Sequence, residues 1–161
     1  RSNIKKCKKG VYEIVSIHYV DMINYLFEVQ TIEKPKLLNF SKVGNSFDTS
    51  LVEIKLRNKS LINIFSTYNS SYSKNLFFLF KNGIIEQRDN TFIVRGPSMN
   101  LDKKGFFKQP KIIEKFILNE DKDYTNSLSK SVSFFLDHVR KNKLFNKKIW
   151  NCSIKSNSLI I

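Results

Sequence analysis

Between residues 11 and 95, short apolar-rich runs alternate with turn residues, and the pattern predicts strands throughout rather than helices. Residues 11–20 and 25–32 form the first two runs, joined through Asp21, Met22, Ile23 and Asn24 as a hairpin with a four-residue connection. Residues 33–50 carry Pro35, Gly44, Asn45 and several serines, which predicts a loop with a short strand at 37–40. Over 51–57 the alternation is clean. Val52, Ile54 and Leu56 take one face and Glu53, Lys55 and Arg57 the other, as in a half-buried strand. Asn58-Lys59 turns that strand into 61–67, and a Ser/Tyr/Asn loop covers 68–74. The apolar run 76–80 is turned by Asn82-Gly83 into 84–87, because both turn residues tolerate the positive φ of a tight hairpin. Arg88-Asp89-Asn90 then turns into 91–95.

The pattern changes at Gly96-Pro97, which opens a loop over 96–110. Pro110 marks a possible helix start, with about two turns over 111–119. After a polar linker, Thr125 or Asn126 can cap a helix running to about Lys141. Its apolar face is Leu128, Val132, Phe135, Leu136 and Val139, spaced i, i+4, i+7, i+8 and i+11. The tail, 149–154 and 159–161, is expected to return as a strand. The fold class is therefore α+β. It is an antiparallel β-meander or partly closed barrel of about seven strands, followed by one short and one long C-terminal helix. The expected organisation is a basic leader (1–10) and a single β-rich domain (11–161), with its sheet in 11–95 and its helical cover in 110–161.

Length and composition agree with a folded chain. The 161 residues suit one core, and a 41% hydrophobic content with 14 Phe and 6 Tyr argues against a disordered basic tail. Cys7 and Cys152 are expected to be free thiols in a reducing compartment, and no metal site is expected, since His18 and His138 have no local ligand pair. No apolar stretch is long enough to span a bilayer and no signal-like N-terminus is present, which predicts an intracellular protein, cytoplasmic or nuclear. Arg1-Ser2, with no initiator Met, reads as a processing scar, so the expectation is a piece of a larger chain or complex.

Charge supplies the functional expectation. The chain has 28 Lys+Arg against 14 Asp+Glu, a net +14. The first ten residues carry five basic and no acidic groups, residues 11–100 carry ten and eight, and residues 101–161 carry thirteen and six. The strand region is thus nearly neutral. Only five of the basic residues are Arg, so phosphate contact is favoured over base reading. Lys, Asn, Ile and Phe are also what AT-rich codons encode, and codon bias competes with function as a source of the lysines.

Three clusters hold the excess: Lys5, Lys6, Lys8 and Lys9; Lys103, Lys104, Lys108 and Lys111; and Arg140, Lys141, Lys143, Lys147 and Lys148. Phe106, Phe107 and Trp150 lie among them as candidate stacking rings, beside Phe145. The expectation is a non-catalytic basic binding module contacting RNA or DNA phosphates, without cofactor. A competing reading makes the same rings core residues and the lysines solvated surface. Strands followed by a closing helix also resemble the layout of pleckstrin-homology-like domains, which implies a phosphoinositide or protein-interaction module. Its partner would be an anionic lipid headgroup or an acidic protein surface. A third alternative is a Mg²⁺-dependent nuclease, with Glu53 and Lys55 on the polar face of one strand and Asp21, Glu28 or Asp48 as the second acid. The five glycines stand singly, so no phosphate-cradling loop is present.

Overall fold

In the computed structural model, residues 5, 7–97 and 101–158 are described. The chain is α+β, and among the described residues eight antiparallel strands form two sheets and two helices follow at the C-terminal side. It divides into two compact units: Arg1–Ser71 with Leu144–Ile161, and Tyr72–Lys143.

The first unit opens with a helix where strands were expected. A π-helical turn, Tyr12–Ser16, runs directly into α1 (Ile17–Leu26), so the predicted hairpin turn at Asp21–Asn24 lies inside a helix. β-branched content had favoured strand there, but such preference is weak against tertiary packing. Val11, Tyr12, Ile17, Val20 and Ile23 are buried, a spacing that a helix places on one side. A four-stranded sheet centred on β3 (Thr49–Leu56) meets the π-helical turn. β1 (Val29–Ile32) and β2 (Lys36–Leu38) pair with opposite ends of one edge of β3, and β4 (Leu61–Thr67) pairs with the other edge. The alternation read in the sequence holds: Val52, Ile54 and Leu56 are buried, and Lys55 is exposed.

Small residues let the helix approach the sheet. Ser16 and Ser50, both fully buried, share a hydroxyl hydrogen bond of 2.7 Å. At the helix entrance Val11 N donates to Phe47 O at 3.0 Å. Gly10 has φ +57°, and a Cβ there would sit 1.9 Å from that same oxygen. Only glycine satisfies both the backbone angle and the approach.

The second unit is a meander, β5 (Asn75–Phe80), β6 (Gly83–Arg88), β7 (Thr91–Arg95) and β8 (Ile112–Ile117), paired in chain order. Both hairpins read from the sequence are present, with Phe80 opposite Gly83 and Arg88 opposite Thr91. The first turns at Lys81-Asn82, one residue before the expected Asn82-Gly83, and of that expected pair Gly83 alone takes a positive φ. The helix expected over 111–119 is instead β8, which hydrogen-bonds to the free edge of β7. That pairing satisfies an entire strand edge, more than two isolated helical turns can gain. The long helix follows at once as α2 (Glu120–Arg140). It is capped by Asn119, whose side chain accepts from Lys122 N at 3.1 Å, rather than by Thr125 or Asn126. The tail expected as a strand is a second helix, α3 (Lys147–Ser158), so the short helix comes after the long one.

Candidate functional site: a basic cleft between two helices

In the first unit, buried polar groups from two helices meet at the seam between α1 and α3. Asn24, on the last turn of α1, is buried and donates through Nδ2 to Ser156 Oγ at 2.9 Å. Ser156 Oγ donates in turn to Cys152 O at 3.0 Å. The Cys152 thiol donates to Asn24 O at 3.4 Å. This closed ring of bonds locks the last turn of α1 to the middle of α3 without a charged group, which suits a buried position.

Beside it opens a cleft of about 380 Å³, lined by Asn24, Val29, Lys148, Asn151, Cys152 and Lys155. On α3 the four lining residues are spaced i, i+3, i+4 and i+7, one face of a helix. Lys148 Nζ lies 5.4 Å from the centre of the Tyr25 ring, a cation–π distance that holds the ammonium near the rim. The lining has two ammonium groups, two carboxamides and no carboxylate. Such a lining favours a small anion, with carboxamides supplying directional hydrogen bonds.

Of the residues singled out from sequence, Lys148 alone lines this cleft. Lys147 neighbours it on α3, and Trp150 is 65% exposed on the same helix. Lys5, Lys8 and Lys9 belong to the same unit. Lys5 and Lys8 are exposed, while Lys9 N donates to Glu13 Oε2 at 2.8 Å. Lys6 lies outside the described residues. The other candidates fall in the second unit. Lys103, Lys104, Lys108 and Lys111 are exposed on the loop before β8, and Arg140, Lys141 and Lys143 on the end of α2 and just beyond. Lys141 pairs with Asp137 at 3.3 Å. Phe106 and Phe107 are not core residues. They are exposed, Phe107 by 92%, on a turn where Asp102 Oδ1 accepts from Lys104 N and Phe106 N. Asn24, Asn151, Cys152 and Lys155 were missed because their segments were read as a hairpin turn and a tail strand. The i, i+3, i+4, i+7 spacing was the signal that could have found the α3 group.

Of the acids named for the nuclease alternative, Glu53 and Asp48 are engaged by other partners, whereas Asp21 lies in α1 with its buried Oδ1 lacking a hydrogen-bond partner. Lys55 bonds Glu33 at 2.9 Å and lies 4.0 Å from Glu53 on the outer face of β3, where Glu33 raises its pKa. Asp48 is consumed as a loop cap, with Oδ2 accepting from Ser41 N at 2.7 Å and Oδ1 from Phe40 N and Thr49 Oγ1. Those donors outweigh burial, which works in the opposite direction, and bring its carboxyl to about 2. Among the described residues no three His, Cys, Asp or Glu side chains gather as metal ligands. Cys7 and Cys152 are free thiols, and burial, reinforced by Glu13, pushes the Cys7 thiol up. Among the described residues no helix is long and apolar enough to cross a membrane.

No protein-family model and no curated protein matches the chain. Solved structures do. An oxidoreductase from Agrobacterium radiobacter, determined in complex with NAD+, L-tartaric acid and magnesium, superposes with a TM-score of 0.69 at 12% identity. The match covers 99% of this chain and 46% of that one. A protein from Thermotoga maritima matches at 17% identity over 88% and 41% of the two chains, with a TM-score of 0.49. The WlbA dehydrogenase from Bordetella pertussis, in complex with NADH and UDP-GlcNAcA, matches at 16% identity over 79% and 34%, with a TM-score of 0.37. The last two likenesses are too distant to carry an argument. The first defines the fold and overturns the expected nucleic-acid-binding module, together with its pleckstrin-homology-like and nuclease alternatives. The chain spans a little under half the length of that oxidoreductase, and its fold is one found there.

Proposed function

We propose that this chain forms the α+β, substrate-side part of an oxidoreductase, and that the cleft between α1 and α3 receives a small carboxylate-bearing ligand. The observation that carries the reading is the superposition of nearly the whole chain on part of an oxidoreductase. The two lysines and two carboxamides of the cleft support the ligand class. Two free thiols suit a reducing, intracellular compartment.

The nucleotide in that related structure does not fit the residues here. A dinucleotide is held where a parallel strand turns through closely spaced glycines into a helix N-terminus. Every strand pairing among the described residues is antiparallel, and Gly10, Gly44, Gly83, Gly96 and Gly105 stand singly. The N-terminus of α2 is closed by its own Asn119 cap and carries Glu120, Asp121 and Asp123, which repel a pyrophosphate. In this reading the dinucleotide site is supplied from outside the described residues, and no hydride-transfer step is assigned to them.

Calorimetric titration tests the proposal, with L-tartrate as the probe. Saturable binding is expected in the millimolar range, about tenfold weaker in Lys148→Ala or Lys155→Ala, with no binding of NAD+. Saturable binding of NAD+, absence of tartrate binding, or tartrate binding indifferent to both lysines overturns it.

A further inference from the structure

The two units differ in how they bury apolar surface. Every buried hydrophobic side chain among the described residues lies in the first unit. In the second, α2 runs 21 residues, about 31 Å at helical rise, and none of its residues is buried. It is nonetheless a well-terminated helix. Asn119 caps it, Asp123 Oδ2 accepts from Asn119 N at 3.0 Å, and Glu120 is tied to Lys74 at 2.6 Å. Along one side run Tyr124, Leu128, Val132, Phe135 and Val139, with Leu136 at the margin, all exposed. The first five are spaced four, four, three and four residues apart, the interval of a seam that takes a second helix by knobs-into-holes packing.

We propose that this stripe is the seam of a homodimer in which α2 of one copy packs antiparallel on α2 of a second copy about a two-fold axis. Two observations select that occupant and that direction. Net charge is segregated along the helix: Glu120, Asp121 and Asp123 outnumber Lys122 in its first turn, and Arg140, Lys141 and Lys143 outnumber Asp137 toward and beyond its end. An antiparallel pair sets the acidic end of each copy beside the basic end of the other, whereas a parallel pair opposes like charges. The residues also register by symmetry. With the axis beside Val132, Tyr124 lies opposite Val139 and Leu128 opposite Phe135. The area suffices as well. Six apolar side chains, 42% to 71% exposed, present roughly 600 Å² per copy, so the seam alone reaches the lower end of specific interfaces, about 1,200 Å² in total. This inference goes beyond the oxidoreductase reading and does not depend on it.

Sedimentation equilibrium of the 161-residue chain tests it. The chain is expected to be dimeric at tens of micromolar. The Arg140→Glu/Lys143→Glu variant and the Asp121→Arg variant should each dimerise on the order of tenfold more weakly. An equimolar mixture of the two should recover association, because the reversed ends again complement each other. As a second measurement, Tyr124→Cys chains mixed with Val139→Cys chains should cross-link in trans on mild oxidation. A monomer at about 100 μM, as expected if another segment or another protein covers α2, overturns the proposal. So does a dimer indifferent to both charge variants, or no Tyr124→Cys to Val139→Cys cross-link.

Discussion

Asp48→Asn separates charge from shape in the loop that leads into β3. The Asp48 carboxylate accepts from Ser41 N at 2.7 Å, Phe40 N at 3.1 Å and Thr49 Oγ1 at 2.9 Å. Burial pushes its pKa up, yet the donors of Ser41, Phe40 and Thr49 outweigh burial and bring it from 3.8 to about 2. The group is depressed on folding, so its stabilisation is fully present above the unfolded value and is lost as pH falls through the folded one. Going from 3.8 to about 2 corresponds to roughly 2 kcal/mol near neutral pH. By the same linkage about half of it remains near pH 3. Asparagine keeps the volume but turns one accepting oxygen into a donor facing backbone N–H groups, at a similar cost. Urea denaturation followed by circular dichroism should therefore show Asp48→Asn less stable by about 2 kcal/mol near pH 7. The gap to wild type should narrow by roughly half near pH 3. A gap that is absent at pH 7, or constant with pH, refutes the claim that a charged acceptor holds this loop.

Three further substitutions probe the packing. Gly10→Ala places a Cβ 1.9 Å from Phe47 O at a φ of +57° and should cost roughly 3 kcal/mol or more, read as a loss of melting temperature. Asn24→Ala removes the 2.9 Å bond to Ser156 Oγ and should cost about 1–2 kcal/mol in chemical denaturation. In the second unit Arg95 holds the buried Glu86 carboxylate at 2.9 Å and also bonds Pro110 O at 3.3 Å. Arg95→Met should cost about 3 kcal/mol, since among the described residues Arg88, at 3.8 Å, is the one cation left near that charge. Adding Glu86→Gln should recover much of the loss in the double mutant.

The misread elements share a cause. Residues 11–20, 111–119 and 149–154 are short, mixed in pattern, and bounded by no decisive turn chemistry, so distant partners chose their conformation. β8 exists because β7 offered an edge, and the N-terminal helical segment forms where its π-helical turn meets β3 and β4 and α1 packs on α3. The cleft suffered for the same reason. Lys148 was visible as a charge, but Asn151, Cys152 and Lys155 become its neighbours only once 147–158 is a helix, and Asn24 is 132 residues away from its partner Ser156.

What the sequence determined by itself was local. Asn82-Gly83 placed its hairpin to within one residue, Arg88-Asp89-Asn90 set the next turn, strict alternation set β3 and its inner face, and the apolar stripe set α2, because each needs contacts only a few residues apart. It also set where the positive charge lies, though not its purpose. Tertiary structure alone decided the helical identity of 12–26, the joining of β8 to β7, and the assembly of Asn24 with Ser156 and Cys152. Those outcomes depend on burial and edge pairing between segments far apart in the chain, where free energies of packing outweigh the smaller local preferences.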